Sequence, residues 1–134
     1  MQQLIKSLLE HKKLLFIAAI CYTAILLYLS LGNISNIPRP KFQLADKVWH
    51  CIAYFGLASL WGLAFFAVKK YTLTKTIITI CIAAIVFGII VEFLQGSLTS
   101  YRTFDFFDAL ANTLGVIVAV PILLFINHKY RDKI

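Results

Sequence analysis

Acidic side chains are scarce in this 134-residue sequence, which sets six Asp and Glu against thirteen Lys and Arg, and charged residues of all kinds make up only 14% of it. So little charge excludes a disordered, solvated chain. With 60% hydrophobic residues, an ordinary soluble domain is excluded as well. Glycine and proline number only six and three, which rules out collagen-like and low-complexity architectures. Cys21, Cys51 and Cys81 all fall in apolar runs, so no disulfide framework is expected and they read as packing residues. Nucleophile motifs, phosphate-cradling glycine loops and cofactor signatures are missing, as is the interleaved basic and aromatic pattern of a nucleic-acid module. No cofactor and no nucleic-acid partner is therefore expected.

What the sequence has in plenty is long apolar runs, reflected in a mean hydropathy of +0.83. Four stretches, about 14–31, 48–68, 76–95 and 106–126, are long enough to cross a hydrocarbon core, which needs about 20 helical residues. Backbone polar groups in lipid must pair within the segment, so each span is expected to be an α-helix. The fold class that follows is all-α: an integral membrane four-helix bundle forming a single domain over 1–134. The first run follows two lysines and precedes small residues, as a signal peptide would, but it exceeds the usual apolar region of about 7–15 residues and is expected to stay uncleaved. The sequon at Asn33 is too short a pattern to carry weight.

Orientation follows from the basic residues. Lys6, Lys12, Lys13, Lys69, Lys70, Lys75, Lys129, Arg131 and Lys133 lie on one side of the spans, against Arg39, Lys41, Lys47 and Arg102 on the other. Both termini are accordingly expected in the cytoplasm, and the net charge of +7 reads as a topology and anionic-lipid signal.

Against this background the polar residues of "VEFLQGSLTSYRTFDFFDALANTLG" (91–115) stand out. With helices of alternating direction, Glu92, Arg102, Asp108, Asn112, Asp46, Lys47 and His50 all fall near the outer end of the bundle. Their spacing is helical: Asp46, His50 and Tyr54 repeat every fourth residue, Gly88, Glu92 and Gln95 share a second stripe, and Asp105, Asp108, Asn112 and Gly115 lie within roughly 80° of one another. Charge facing lipid is costly, so these stripes should face the interior, with Ile89, Ile90, Phe93 and Leu94 toward lipid. Ala111, Gly115 and Ala119 form a ridge of small residues on which a neighbouring helix can approach closely.

Three groups of residues, "DKVWHCIAYFGLA" (46–58), "VEFLQ" (91–95) with Arg102, and "DALANTLG" (108–115), together resemble the VanZ-like family of small bacterial membrane proteins. Asp46, Lys47, His50, Tyr54, Glu92, Gln95, Arg102, Asp108, Asn112 and Gly115 each occupy a place in that family's pattern, while Cys51 stands where an aromatic is more usual. The resemblance implies a multi-pass protein of the bacterial cytoplasmic (inner or plasma) membrane. It also implies an effect on the cell envelope and on susceptibility to the lipoglycopeptide teicoplanin, but brings no reaction with it.

The residues themselves leave several roles open. Glu92 and Asp108 suit a general acid and base pair, with His50 as proton shuttle or phosphate contact. They equally suit salt bridges to Lys47 or Arg102 and a hydrogen bond from His50 to the next helix. Gln95 and Asn112 are natural interhelical hydrogen-bonders. A metal held by His50, Glu92, Asp105 and Asp108 lacks any tight ligand spacing, and none is expected. Lys47 and Arg102 favour a phosphate, and Asp46, Lys47, His50, Tyr54, Gln95, Arg102 and Asn112 form the expected ligand-binding set. The partners expected are membrane lipids, a lipid-linked cell-wall precursor or a lipoglycopeptide. The leading reading is a site for an anionic lipid or lipid-linked envelope intermediate at the outer leaflet. A structural subunit locked by its polar cluster is the alternative; a proton-coupled carrier fits less well, because the central turns around Leu60, Ala84 and Val118 hold no ionisable residue.

Overall fold

Apolar runs of this length can satisfy their backbone in lipid only by closing helical hydrogen bonds on themselves, and all four do so. The computed structural model describes residues 11–32, 44–68, 72–100 and 103–130. These form α1 (Lys12–Leu31), α2 (Ala45–Val68), α3 (Leu73–Leu98) and α4 (Phe106–Tyr130), with no strand among the described residues. Each helix is long and apolar enough to cross a membrane.

The ends of α1 and α2 and the start of α4 fall where hydropathy places them, while the starts of α1, α2 and α3 and the ends of α3 and α4 lie further out. α2 starts at Ala45, so Asp46 and Lys47 belong to its first turn, where backbone N–H groups tolerate polar neighbours. α3 is capped by Thr72, whose hydroxyl accepts the Lys75 N–H. α4 continues through Pro121 to Tyr130.

α2 is central and packs against each of the other three helices, most extensively against α4. The small-residue ridge of α4 makes that approach possible. Ala111, Gly115 and Ala119 are all buried, and a Cβ on Gly115 would stand 2.1 Å from the Cys51 carbonyl oxygen and 2.9 Å from the Phe55 nitrogen. Two backbones meet there with no room for a side chain. Around this seam Leu26, Tyr54, Leu57, Ala84, Val116 and Leu123 form the core. α1 is tied to α2 by two hydrogen bonds, from the Tyr22 hydroxyl to the Ala53 carbonyl (2.9 Å) and from the Trp61 indole to the Thr23 hydroxyl (3.1 Å).

The outer faces are as apolar as the core. Ile89, Ile90 and Phe93 are exposed, as expected for lipid contact, along with Ile17, Ile82, Leu114 and Phe125. In water such a surface would aggregate; in a bilayer it meets its proper solvent. The buried polar side chains Glu92, Gln95, Asp108 and Asn112 instead gather where the end of α3 meets the starts of α2 and α4, with Thr76 buried near the other end of α3.

Candidate functional site

Asp105 precedes the apolar run of α4 and caps it. Its Oδ1 accepts the Phe107 N–H at 2.8 Å, and its backbone carbonyl accepts the N–H groups of Asp108 (3.1 Å) and Ala109 (3.3 Å). Its Oδ2 takes a hydrogen bond from the Lys47 ammonium. The same ammonium lies 2.7 Å from Asp108 Oδ1, so one cation from α2 serves two carboxylates at the start of α4. The Lys47 ammonium holds the Asp105 carboxyl below the usual carboxylate range, with the Phe107 N–H adding to the effect.

One turn further along α2, His50 joins three helices. Its Nδ1 is 3.0 Å from Asn112 Oδ1 and 3.3 Å from Glu92 Oε1, and its Nε2 is 3.6 Å from Asp108 Oδ2. The Asn112 amide donates to Glu92 Oε1 at 3.3 Å, which leaves its oxygen for the imidazole. Glu92 and Asn112 are 1% and 0% exposed, so these are hydrogen bonds made out of water. One ligand-type atom from each of Asp46, His50 and Asp108 lies within 4.8 Å of the others.

Deeper in the bundle Tyr54 packs on Phe87, with ring centroids 6.2 Å apart, and fills the space left by the missing side chain of Gly88. Its hydroxyl is buried and makes no hydrogen bond among the described residues. Gln95 is equally buried but turns toward α1, donating to the Ser30 carbonyl at 2.8 Å. That carbonyl belongs to the last turn of α1, where no intrahelical N–H remains to meet it.

Of the residues expected to form the site, Asp46, Lys47, His50, Glu92, Asp108 and Asn112 come together. Tyr54 lies a turn below them, Gln95 points to the α1 side, and Arg102 lies outside the described residues. Asp105 was not among the expected ligand-binding groups, yet it shares Lys47. The signal for it is ordinary cap chemistry, an aspartate directly before an apolar helical run.

Below the cluster a cleft of about 320 Å³ opens between α1, α2 and α3. Thr23, Leu57, Trp61 and Phe87 line its depth, and the exposed Thr79 and Ala83 form its lip, so it opens sideways toward lipid.

Four membrane-length helices joined at one end by buried carboxylates, an imidazole and amides define a membrane-helix bundle with a polar site at one mouth. The chain belongs to the VanZ/LLP1 family, whose profile matches residues 6–127, nearly its whole length. It is similar to "Uncharacterized protein C11E3.10" of the fission yeast Schizosaccharomyces pombe, at 33% identity over 118 residues, covering 88% of this chain and 68% of that protein. With a relative in a yeast, membership of the family does not by itself mean a bacterial membrane. No solved structure matches the chain.

Proposed function

We propose that the protein holds an anionic lipid, or a lipid-linked envelope intermediate, with its headgroup at the polar cluster and its chain in the lateral cleft. The observation that carries this reading is the pairing of the two features: the cleft reaches up to Leu57, about two turns below His50, and to Phe87, about one and a half turns below Glu92. A chain lying there brings its headgroup to the cluster. Lys47 offers a cation from within its carboxylate pair, and Arg102, in the sequence between α3 and α4, is the second cation whose charge-assisted hydrogen bonds would suit a phosphate. His50, Glu92 and Asp108 lie near enough to one another to relay a proton, which would let the site modify a headgroup as well as hold it. In a bacterial host, retention of a polyprenyl-linked cell-wall intermediate is how such a site would alter teicoplanin susceptibility.

The distribution of basic residues supports an outer-leaflet position for the cluster. A cysteine introduced at Ser100 should then label from outside intact cells and one at Thr74 only after permeabilisation; both positions are exposed. Reversed labelling would move the site to the cytoplasmic leaflet.

A helix lock is the second reading, favoured by Lys47 joining α2 to α4 and by His50 and Asn112 joining both to α3. Native mass spectrometry separates the two. The purified protein should retain phosphatidylglycerol over phosphatidylcholine. Arg102→Ala should lower phosphatidylglycerol retention roughly tenfold, the scale of one charge-assisted hydrogen bond. Ala83→Phe, filling the cleft from its exposed lip, should lower retention of both lipids while the bundle stays assembled. Unchanged retention in both variants would leave only the lock.

A further inference from the structure

Among the described residues the polar end of the bundle gathers four carboxylates: Asp105 and Asp108 meet the Lys47 ammonium, Glu92 meets His50, and Asp46 lies near His50 and Asp108. Lys47 faces Asp105 and the Oδ1 of Asp108. The other Asp108 oxygen turns toward His50 Nε2 at 3.6 Å, beyond hydrogen-bonding distance.

The tautomer of His50 is set from its other side. Glu92 Oε1 accepts a hydrogen bond from the Asn112 amide nitrogen, so Asn112 presents its oxygen to the imidazole, and both groups near Nδ1 are acceptors. Nδ1 therefore carries a hydrogen. In the neutral ring Nε2 is then a lone pair, and it faces Asp108 Oδ2. Two lone pairs facing each other repel unless a donor or a cation comes between them. A second proton, a bridging water or a metal ion would meet that requirement.

From the geometry we infer that Asp46, His50 and Asp108 form a binding site for a divalent metal ion. Two atoms ligating one tetrahedral ion at about 2.0–2.2 Å each stand roughly 3.3–3.6 Å apart, which is the spacing of His50 Nε2 and Asp108 Oδ2. All three ligand atoms lie within 4.8 Å of one another, with Asp46 half-buried at the mouth. One imidazole and two carboxylates suit zinc or manganese better than a soft metal. The environment of His50 is the one expected of a metal-ligating histidine, its second nitrogen donating to an amide oxygen and a carboxylate that set the tautomer and aim the ring. Open coordination positions would face the mouth of the bundle, where a phosphate oxygen can enter. The site stands without the lipid reading, since the metal needs only these side chains.

The test uses the untagged chain in detergent, stripped with a chelator and titrated with Zn²⁺, and with Co²⁺ as a spectroscopic probe. One equivalent of Zn²⁺ should bind per chain and raise the unfolding temperature, and Co²⁺ should develop visible absorption bands from a nitrogen and oxygen ligand set. Asp46→Asn, at a half-exposed position outside the core, should fold and weaken binding at least tenfold; His50→Gln should abolish the Co²⁺ bands. Absence of stoichiometric binding, or binding unchanged in both variants, would overturn the site.

Discussion

Replacing Gly115 with alanine is expected to strip the folded protein of more stability than any change in the polar cluster. The added Cβ would lie 2.1 Å from the Cys51 carbonyl oxygen and 2.9 Å from the Phe55 nitrogen, and both are backbone atoms that cannot rotate away. α4 must therefore move off α2, at a cost of about 3 kcal/mol, the upper end of the usual range for overpacking. Because Lys47 lies on α2 and Asp108 on α4, the same movement pulls their ion pair apart. Unfolding followed by size-exclusion chromatography on heating should show Gly115→Ala melting far below the parent and Gly115→Leu failing to assemble. The neighbouring Leu114, which is exposed, provides the control. Leu114→Ala should change stability by less than about 0.5 kcal/mol, as surface substitutions do; a comparable loss there would mean that the seam is not special.

The ridge that makes Gly115 so sensitive was visible in the sequence because helical periodicity alone puts Ala111, Gly115 and Ala119 in line. The same holds for the stripes carrying Asp46 and His50, Glu92 and Gln95, and Asp108 and Asn112. Periodicity fixes which face of its own helix a residue occupies, but not what that face meets. Lys47 was therefore legible as a cation at the mouth, while its division between Asp105 and Asp108 was not. Gln95 was legible as an interhelical donor, but its acceptor is a main-chain carbonyl at the end of α1, a group with no sequence signature. Hydropathy set the start of α2 three residues too late, since Asp46 and Lys47 look like loop although a helix's first turn accommodates them. The cleft was not legible either. It arises from small residues such as Ala83 and Ala84 on α3 facing Trp61 of α2 and Thr23 of α1, which is a matter of register between helices.

Asp108→Asn should separate the working of the site from the holding together of the helices. The substitution keeps the size of the side chain and its capacity to accept and donate hydrogen bonds. Lys47 keeps Asp105 as a partner, so the clasp between α2 and α4 loses one arm and not both. A membrane amide finds partners at modest cost, and the expected loss of stability is about 1 kcal/mol or less. Function should respond differently. Asp108 is 6% exposed and stands between the Lys47 ammonium and His50 Nε2, where its charge sets the balance of the whole mouth. An amide there can neither accept a proton nor neutralise Lys47, and phosphatidylglycerol retention should shift at least tenfold while the melting temperature stays within a few degrees. Parallel loss of melting temperature and retention would make Asp108 a clamp, and unchanged retention would remove it from the site. The split is expected because the backbone seam at Gly115, and not the aspartate, holds α4 against α2.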